Sequence, residues 1–443
     1  MEKNYIRSYD ANTIIKYLRK VLQELDSDYV DSSIRCAFIM KRYLEYYNLM
    51  DEKTAKLVLA CFLKDVGTFY LDKSVPRDNH AYAAASTYAF LRYCSPLGDA
   101  ARPLLFYKAM WIEDKVDKED PTYFAYYYGL LITLINQLIM YNYQEYTLDQ
   151  MTDLLKNDMK AHYNPEQVRK LTRFLKKEPK VLEILNSSSN LFLYETTGFL
   201  SKLGYTDDDL LKFIFMTNFS FEFHNNETLA HTITTAVIAK ELAKLSRLPE
   251  GMVEKIYIAG LVHDIGKLRI PPEILCYPGK LEGEAKEIMS KHVIYTREIL
   301  ENSFSTDVIE IASNHHERLD GSGYPVGKKA IDLSIGDKIL SVADVTSALY
   351  CKRSYKEAFS DDEIIDILER CADEGKLDSR IINHLIDNYD EIMVKAKENE
   401  EIIVNQFNNM KKRFEALIQD EELHSFFDDE NDSTDIIDED TPF

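Results

Sequence analysis

The sequence lacks several features that define common classes of protein. None of its 6 cysteines lies in a Cys-x-x-Cys pair, and the N-terminal residues carry no apolar secretion signal, which together predict a reduced, cytoplasmic protein. With 12 prolines and 15 glycines in 443 residues, the composition is far from that of a disordered chain. Basic residues are outnumbered, 53 against 75 acidic ones, which gives a net charge of -22. This balance excludes a protein that wraps a DNA or RNA polymer, because such proteins carry surplus lysine and arginine.

One uncharged stretch, residues 121–144, is long enough to span a bilayer. Acidic residues flank it on both sides, and Asn136 and Gln137 lie near its middle. A membrane span is instead bordered by lysine and arginine on its cytoplasmic side. We therefore predict a buried core helix and no membrane insertion.

Helical periodicity dominates the chain, alternating strand patterns are scarce, and we predict an all-α fold. The sequence also contains an internal repeat: residues 28–70 align without a gap on residues 227–269, at a constant offset of 199. Residues 147–175 resemble residues 360–389, although the register between these blocks is loose. We predict a duplicated helical domain, with four segments: a first copy at 1–185, a connecting helical segment at 186–222, a second copy at 223–400, and a charged helix with an acidic disordered tail at 401–443. Two amphipathic helix pairs that are alike by periodicity alone are the alternative.

Histidines beside carboxylates mark the second copy as the chemically active one. Six of the 10 histidines lie between residues 224 and 316. Glu227 and His231 are four residues apart and share a helix face, a spacing that suits a metal ion. The pair His263-Asp264 lies where an apolar helix ends, and a Gly-rich loop follows His315-His316.

Asp344 lies on an otherwise apolar helical stretch. A buried carboxylate is costly unless it is paired or binds a metal, so we expect Asp344 to have a cationic or metal partner. Histidine and carboxylate ligands without cysteine favour Fe or Mn over Zn or Ni. Taken singly, His231 and His292 are each more typical of a core histidine than of a metal ligand.

The motifs together resemble those of the HD-GYP phosphodiesterases of the HD superfamily. The resemblance covers residues 224–395 and rests on HDIGK, PGKL, HHERLDGSGYP and ADVTSALYCKRSYKEAF, read in that order along the chain. It implies two tandem HD-type helical bundles, the first degenerate. It also implies that the second bundle binds two or three metal ions and hydrolyses cyclic di-GMP, through the linear dinucleotide pGpG and often on to GMP.

The resemblance assigns roles residue by residue. It implies that one metal ion is held by His231, His263, Asp264 and Asp344, and its neighbour by Asp264, His292, His315 and His316. Asp264 would bridge the two ions, and Glu227 would serve a third. Lys267 would contact the scissile phosphate, and Tyr324, Arg353 and Lys356 would seat the ligand. Two metals at such a site can present a bridging hydroxide to the phosphorus and neutralise charge on the phosphoryl oxygens.

The sequence departs from the family pattern at two places. Ser347 stands where the family helix carries a second aspartate, and Asp378-Ser379 stands where the pattern has Asp-Pro. Neither change removes an expected metal ligand. We expect Ser347 to alter the surroundings of the ligands, with effects on rate or on the preference among cyclic dinucleotides.

The first copy has lost the expected ligands. Ser32, Lys64 and Thr68 replace His231, His263 and Lys267, Asp28 replaces Glu227, and only Asp65 survives. Aromatic residues around Phe106 and Tyr107 stand where the second copy has His315-His316. We predict that Lys64 pairs with Asp65 and fills the site, and that the first copy serves in packing, homodimer formation or regulation.

Three functions agree with these residues. The first is a metal-dependent phosphodiesterase that hydrolyses cyclic di-GMP. The second is a catalytically weak effector that binds a cyclic dinucleotide and signals through partners. The third is an HD phosphohydrolase of another nucleotide, such as a mixed cyclic dinucleotide. Retention of the full ligand set together with Lys267 favours the first.

Overall fold

The chain is helical throughout the part that the structure describes. The computed structural model describes residues 10–70, 79–158, 162–187, 190–222, 226–275, 277, 279–351 and 359–427, with backbone alone at 69–70, 158, 219–222 and 226–228. Within these ranges there is no β-strand, and Asp320 and Lys329 form an isolated bridge. The predicted all-α fold is confirmed.

Most of the described residues lie in α-helices. The first ten α-helices are α1 (Ala11–Leu25), α2 (Ser27–Tyr46), α3 (Glu52–Phe62), α4 (His80–Cys94), α5 (Tyr123–Tyr143), α6 (Leu148–Asp158), α7 (Pro165–Lys177), α8 (Lys180–Asn186), α9 (Leu191–Leu200) and α10 (Asp207–Glu222). They are followed by α11 (Asn226–Leu245), α12 (Glu250–Val262), α13 (Pro272–Leu275), α14 (Gly283–Ser290), α15 (His292–Leu300), α16 (Thr306–Ser313), α17 (Ile335–Tyr350), α18 (Asp361–Asp373), α19 (Ser379–Asp387), α20 (Tyr389–Ile418) and α21 (Glu421–His424). Three 3-10 helices cover Val66–Tyr70, Gly98–Phe106 and Ile265–Arg269.

The contacts divide the chain into two compact units that interleave along the sequence. Unit 1 comprises residues 1–31, 93–98 and 193–410, and unit 2 comprises residues 32–92, 99–192 and 411–443. The predicted division into consecutive segments differs from these units near the N-terminus and near the C-terminus. Helix α1 belongs to unit 1 because its apolar face packs on α10 and α15, and residue 401 lies inside the continuous helix α20. Contact units need not coincide with duplicated segments, so the predicted domain ranges stay a prediction.

The core of unit 1 is built on α11, α12 and α17, which pack against one another. Helices α11 and α12 approach closely at Gly260, where an added Cβ would lie 2.8 Å from the Cα of Ala236. Helix α17 starts at a capping box: Ser334 Oγ accepts a hydrogen bond from the Asp337 amide, and Asp337 Oδ2 accepts one from the Ser334 amide. This fixed start sets the register that turns Asp344 and Ser347 inward.

Unit 2 contains the apolar stretch that the sequence analysis examined. Helix α5 is the one described helix long and apolar enough to cross a membrane by length and composition. Its residues Leu131, Ile132 and Ile135 are fully buried. Helices α6 and α7 pack against it, as expected for the core helix predicted at this position.

The 3-10 helix at Ile265–Arg269 approaches α15 so closely that Gly266 has no room for a side chain. A Cβ at Gly266 would lie 2.0 Å from the carbonyl oxygen of His292 and 2.5 Å from the amide nitrogen of Thr296. We expect Gly266→Ala to lower the free energy of unfolding by about 1–3 kcal/mol, because backbone atoms must move apart. Denaturant titration followed by circular dichroism measures the loss.

Gly251→Ala is the matched control. Gly251 lies in the first turn of α12, and no atom is within 4 Å of its added Cβ. Alanine there should be neutral or stabilise by up to about 1 kcal/mol, since it reduces the freedom of the unfolded chain. Equal effects of the two substitutions would contradict the close approach at Gly266.

Candidate metal centre

The predicted ligands of unit 1 converge because most of them lie at helix ends. His263 and Asp264 follow directly on α12, His292 begins α15, and His315 follows closely on the end of α16. His231 projects from α11, and Asp344 from α17. Because these helices pack together, the structure brings into one site all the predicted ligands whose side chains it describes: His231, His263, Asp264, His292, His315, His316 and Asp344.

Two groups of side chains in this site have ligand atoms close enough to share a metal ion. The first cluster is His231, His263 and Asp264, and the second cluster is His292, His315 and His316. All the ligand atoms of each cluster lie within 4.8 Å of one another. The first cluster contains three of the four residues that the resemblance implies for one ion, and the second contains three of the four that it implies for the other.

The carboxylate of Asp264 lies between the clusters. Its Oδ2 is 3.2 Å from His263 Nε2 and 3.9 Å from His231 Nε2, in the first cluster. Its Oδ1 is 3.4 Å from His292 Nε2 and 3.9 Å from His315 Nε2, in the second. One oxygen therefore faces each cluster, which is the arrangement a bridging ligand needs.

Asp344 also reaches both clusters. Its Oδ1 lies 3.2 Å from His231 Nε2 and 3.8 Å from His263 Nε2, while its Oδ2 lies 3.6 Å from His316 Nδ1. The side chain is nearly fully buried. The neighbours that the structure gives Asp344 are thus three imidazoles, and a metal partner for it stays a prediction.

Three histidines are held in the same way, each by a backbone carbonyl at a helix end. The Nδ1 atoms of His263, His292 and His315 lie 2.7 Å from the carbonyl oxygens of Gly260, Met289 and Ala312, each three residues earlier. These carbonyls belong to the last turns of α12, α14 and α16, where the hydrogen bonds of the helix run out, and the Met289 carbonyl also accepts from the Lys291 amide. Because a carbonyl only accepts, each Nδ1 carries a proton, and in the neutral imidazole each Nε2 presents a lone pair to the site.

These lone pairs fit a metal ion. His292 Nε2 and His315 Nε2 face each other at 3.3 Å, and with both protons on Nδ1 neither can donate to the other. His263 Nε2 and Asp264 Oδ1 are buried atoms without a hydrogen-bond partner in the structure. Buried acceptors gathered in this way are costly unless a cation satisfies them.

Burial sets the charge states of the site. Desolvation lowers the pKa of His292 to about 4 and that of His316 to about 3, and it also lowers the pKa values of His231 and His315. These four imidazoles are therefore neutral, as metal ligands must be. Burial opposes the charge of His263 as well, but the neighbouring Asp264 outweighs it and raises the pKa of His263 above its usual value. Burial opposes the charge of Asp264, but His263 and Lys267 outweigh it and hold its pKa well below the usual range.

Lys267 lies at the edge of the site. It is in the 3-10 helix after Asp264, and its Nζ donates to Asp264 Oδ2 while a fifth of its side chain stays exposed. The ammonium is thus held beside the clusters yet open to an incoming ligand.

The Gly-Tyr-Pro loop closes over the second cluster. The Tyr324 ring lies 4.8 Å from the His316 ring and 6.5 Å from the His292 ring, measured between centroids. Burial raises the pKa of Tyr324 well above its usual value, so its hydroxyl stays a donor at neutral pH.

Sequence reasoning did not assign roles to two side chains that position the site. Glu317 is 1% exposed and accepts hydrogen bonds from the amides of Val326, Gly327 and Lys328, which fixes the far side of the Gly-Tyr-Pro loop. Thr296 Oγ1 donates to the carbonyl oxygen of His263 and accepts from the amide of Gly266. Glu317 lies within the recognised motif, whereas no local pattern identifies Thr296.

Ser347 takes part in the site through His231. Its Oγ donates to the carbonyl oxygen of His231 at 3.0 Å and lies 3.0 Å from His231 Nδ1. With its single proton engaged, the hydroxyl accepts from Nδ1, so Nε2 of His231 faces Asp344 as a lone pair. A serine thus performs the orienting task that a carboxylate often performs for a metal-binding histidine.

Three predicted site residues are outside the described part of the chain. The side chain of Glu227 and the whole of Arg353 and Lys356 lie there. Their predicted roles stay predictions.

Comparison with known proteins places the site in a family. Residues 217–381 match the model of the HD domain. A 3'3'-cGAMP-specific phosphodiesterase (phosphodiesterase 2) of Vibrio cholerae is 35% identical over 218 residues, covering 48% of this chain and 41% of that protein. A cyclic di-GMP phosphodiesterase of Thermotoga maritima is 38% identical over 169 residues, covering 38% of this chain and 46% of that protein. The chain thus spans less than half the length of these curated relatives.

A solved structure shares the fold. The crystal structure of a cyclic GMP-AMP-specific phosphodiesterase of V. cholerae, V-cGAP3, superposes with a TM-score of 0.53 at 15% identity, over 86% of this chain and 98% of that one. Fold and site together define an all-helical protein with an HD domain. Because the matched segment carries both the His263-Asp264 pair and the Gly-Tyr-Pro triplet, the domain is of the HD-GYP type.

The hydroxyl of Ser347 sets the tautomer of His231, and its removal should weaken metal binding. We expect Ser347→Ala to lower the affinity of the metal-free protein for Mn²⁺ by about 10-fold or more, as loss of such outer partners does. Ser347→Thr keeps the hydroxyl and should stay near the wild-type value. Calorimetric titration with Mn²⁺ measures both.

Thr346→Val is the matched control, since the Thr346 hydroxyl bonds only its own helix at Val342. It should leave Mn²⁺ affinity unchanged. Wild-type affinity in Ser347→Ala would show that Ser347 does not orient His231.

Proposed function

We propose that unit 1 is a metal-dependent phosphodiesterase that hydrolyses a cyclic dinucleotide. The observation that carries this proposal is the Asp264 carboxylate, which directs one oxygen to each of two clusters of metal-ligand atoms. The curated relatives support it, since their names describe phosphodiesterases of cyclic di-GMP and of 3'3'-cGAMP.

The residues fit two divalent ions. In the proposal, His231, His263, Asp264 and Asp344 hold one ion, and Asp264, His292, His315 and His316 hold the other. Glu227 adds a third site in the trinuclear form. The nitrogen and oxygen donors without thiolates favour Fe or Mn. Divalent ions at such a centre supply an activated water at neutral pH and neutralise charge on phosphoryl oxygens.

The chain's own residues prepare the reaction. The three backbone-anchored histidines hold their Nε2 atoms in place before substrate arrives, so little reorganisation is needed. Lys267 presents a point charge next to Asp264, where a phosphoryl oxygen of the scissile bond gains negative charge. Tyr324 flanks the second cluster and offers a ring face and a hydroxyl donor to the ligand.

Substrate choice is the finer part of the proposal. We infer cyclic di-GMP as the substrate, cleaved to pGpG and in a second step to GMP, with 3'3'-cGAMP as the alternative. Both dinucleotides carry the same two phosphodiesters, so the described site does not distinguish them. Arg353 and Lys356 are proposed to bind the second phosphate and so to contribute to the choice. We also infer a cytoplasmic location, where cyclic dinucleotide signals act.

Product analysis with a carboxylate variant tests the activity. Protein purified anaerobically and loaded with Fe(II) or Mn(II) should convert cyclic di-GMP to pGpG, resolved by chromatography. Asp264→Asn should lower kcat/KM by at least about 100-fold, because a neutral amide has one oxygen and cannot supply a charged ligand to each of two ions. Asp307→Asn is the control, since Asp307 is a half-exposed carboxylate paired with Lys255 away from the clusters.

Each result bears on the proposal. A ratio of kcat/KM above ten in favour of 3'3'-cGAMP would reject cyclic di-GMP as the substrate and retain the activity. Tight binding of either dinucleotide without product, under both metals, would reject the enzyme and support a binding effector.

Lys267 is proposed to act on the phosphate and to be no metal ligand. Lys267→Gln should lower kcat by about 100-fold, as loss of a charged donor at a reacting centre does, with metal content unchanged. Steady-state kinetics and metal analysis measure the two effects. Lys286→Gln, on the exposed face of α14, should match the wild type. Loss of metal from Lys267→Gln would show that the lysine holds Asp264 in place instead.

A further inference from the structure

Unit 2 repeats the framework of the metal centre in its own helices. At an offset of 199 residues, α2 begins and ends where α11 does, and the 3-10 helix Val66–Tyr70 coincides with Ile265–Arg269. The turn after each long helix contains one residue with positive φ, Asn48 at 53° and Arg247 at 54°. The gapless sequence repeat is therefore also a repeat of local structure.

The next helix packs in the same way in both units. A Cβ at Gly67 would lie 2.2 Å from the amide nitrogen of Thr87 in α4, just as a Cβ at Gly266 would clash with Thr296 in α15. Ser86 Oγ donates to the carbonyl oxygen of Gly67, and Thr296 Oγ1 accepts from the amide of Gly266. These contacts align α4 with α15 and carry the correspondence beyond the aligned sequence.

A lysine lies where unit 1 has the first cluster. Lys64 and Asp65 take the positions of His263 and Asp264, and Ser32 takes that of His231. Lys64 Nζ donates to Asp65 Oδ2 and lies 3.4 Å from Ser32 Oγ. The predicted pairing of Lys64 with Asp65 is confirmed, and the ammonium also contacts the third position of the cluster.

The lysine is enclosed. Its side chain is 1% exposed and that of Asp65 is 14% exposed. The centroid of the Tyr107 ring lies 5.3 Å from Lys64 Nζ. The described side chains around the pair, which include Thr68 and Thr87, leave no space large enough for a water molecule.

We propose that Lys64 is the built-in cation of unit 2 and replaces the metal ion that the first cluster is proposed to bind. A buried carboxylate needs a positive partner, and an ammonium supplies one charge without coordination sites. Unit 2 is on this account a copy of the HD framework that folds without metal. The proposal concerns unit 2 alone and stands whatever unit 1 hydrolyses.

Removal of the ammonium tests the proposal. Lys64→Met keeps the length of the side chain and leaves the Asp65 charge buried without its cation. The midpoint temperature of unit 2 should fall by roughly 10 °C, and amides of α3 should exchange faster with deuterium. Lys56→Met, which removes an exposed lysine paired with Glu52 in the same helix, is the control and should shift neither. Unchanged stability of Lys64→Met would overturn the proposal.

The wild-type protein offers a second measurement that no folding defect can obscure. Hydrogen exchange is recorded on the full chain loaded with Mn²⁺ and again after a chelator strips it. Exchange should rise in α12 and α15 of unit 1 and stay constant in α3 and α4 of unit 2. A rise in α3 and α4 on chelation would show that unit 2 binds metal and that Lys64 is no substitute for it.

The reverse substitution rebuilds the ligand set. Ser32→His with Lys64→His returns to unit 2 the two imidazoles that unit 1 has beside its aspartate. In the background of Asp264→Asn, the metal content should rise by one ion per chain above that of Asp264→Asn alone, and Asp65→Asn should abolish the increase, as elemental analysis would show. No gain of metal in a folded double variant would count against the equivalence of the two positions.

Discussion

The centre of unit 1 depends on a single electrostatic constraint, the burial of the Asp264 carboxylate. An ionised carboxylate in a nearly dry interior is unfavourable by many kcal/mol unless cations or donors surround it. Helix α12 delivers it there because the helix ends at Val262, two residues earlier, and the close approach of α15 leaves room only for a glycine at position 266. The histidines and Lys267 contact this carboxylate, and the proposed metal ions would neutralise its charge.

The same helix ends explain why the histidines point as they do. A helix leaves its last carbonyls without amide partners, and in α12, α14 and α16 one of them takes up the Nδ1 proton of a histidine. One contact thus gives a carbonyl at a helix end a hydrogen bond, fixes the histidine ring and leaves its other nitrogen facing the site. The same hydrogen bonds therefore stabilise the helix ends and orient the proposed metal ligands. A substitution that lengthens one of these helices would disturb both.

Much of this centre could be predicted from the sequence, because its chemistry is concentrated in short motifs. The pairing of Asp344 followed from the cost of a carboxylate on an apolar helix, and the Lys64–Asp65 pair followed from the repeat. Thr296 and the carbonyl anchors could not be predicted, since they join residues through tertiary packing and leave no periodic trace. The interleaving of the two units could not be predicted for the same reason. The amphipathic face of α1 indicates that this face is buried, but it does not indicate which helices cover it.

The two units show two solutions to one problem. Each places an aspartate at the end of a buried helix, at equivalent positions of a shared framework. Unit 1 surrounds it with imidazoles and holds the Lys267 ammonium at the edge of the site, and the Nε2 atoms that face the carboxylate are the ones proposed to bind metal ions. Unit 2 brings in an ammonium on a flexible stem, which neutralises the carboxylate at once but has no open coordination position for water or phosphate. On the proposal made here for Lys64, a lysine in this place preserves the fold without offering a coordination site, so the proposed hydrolysis is confined to unit 1.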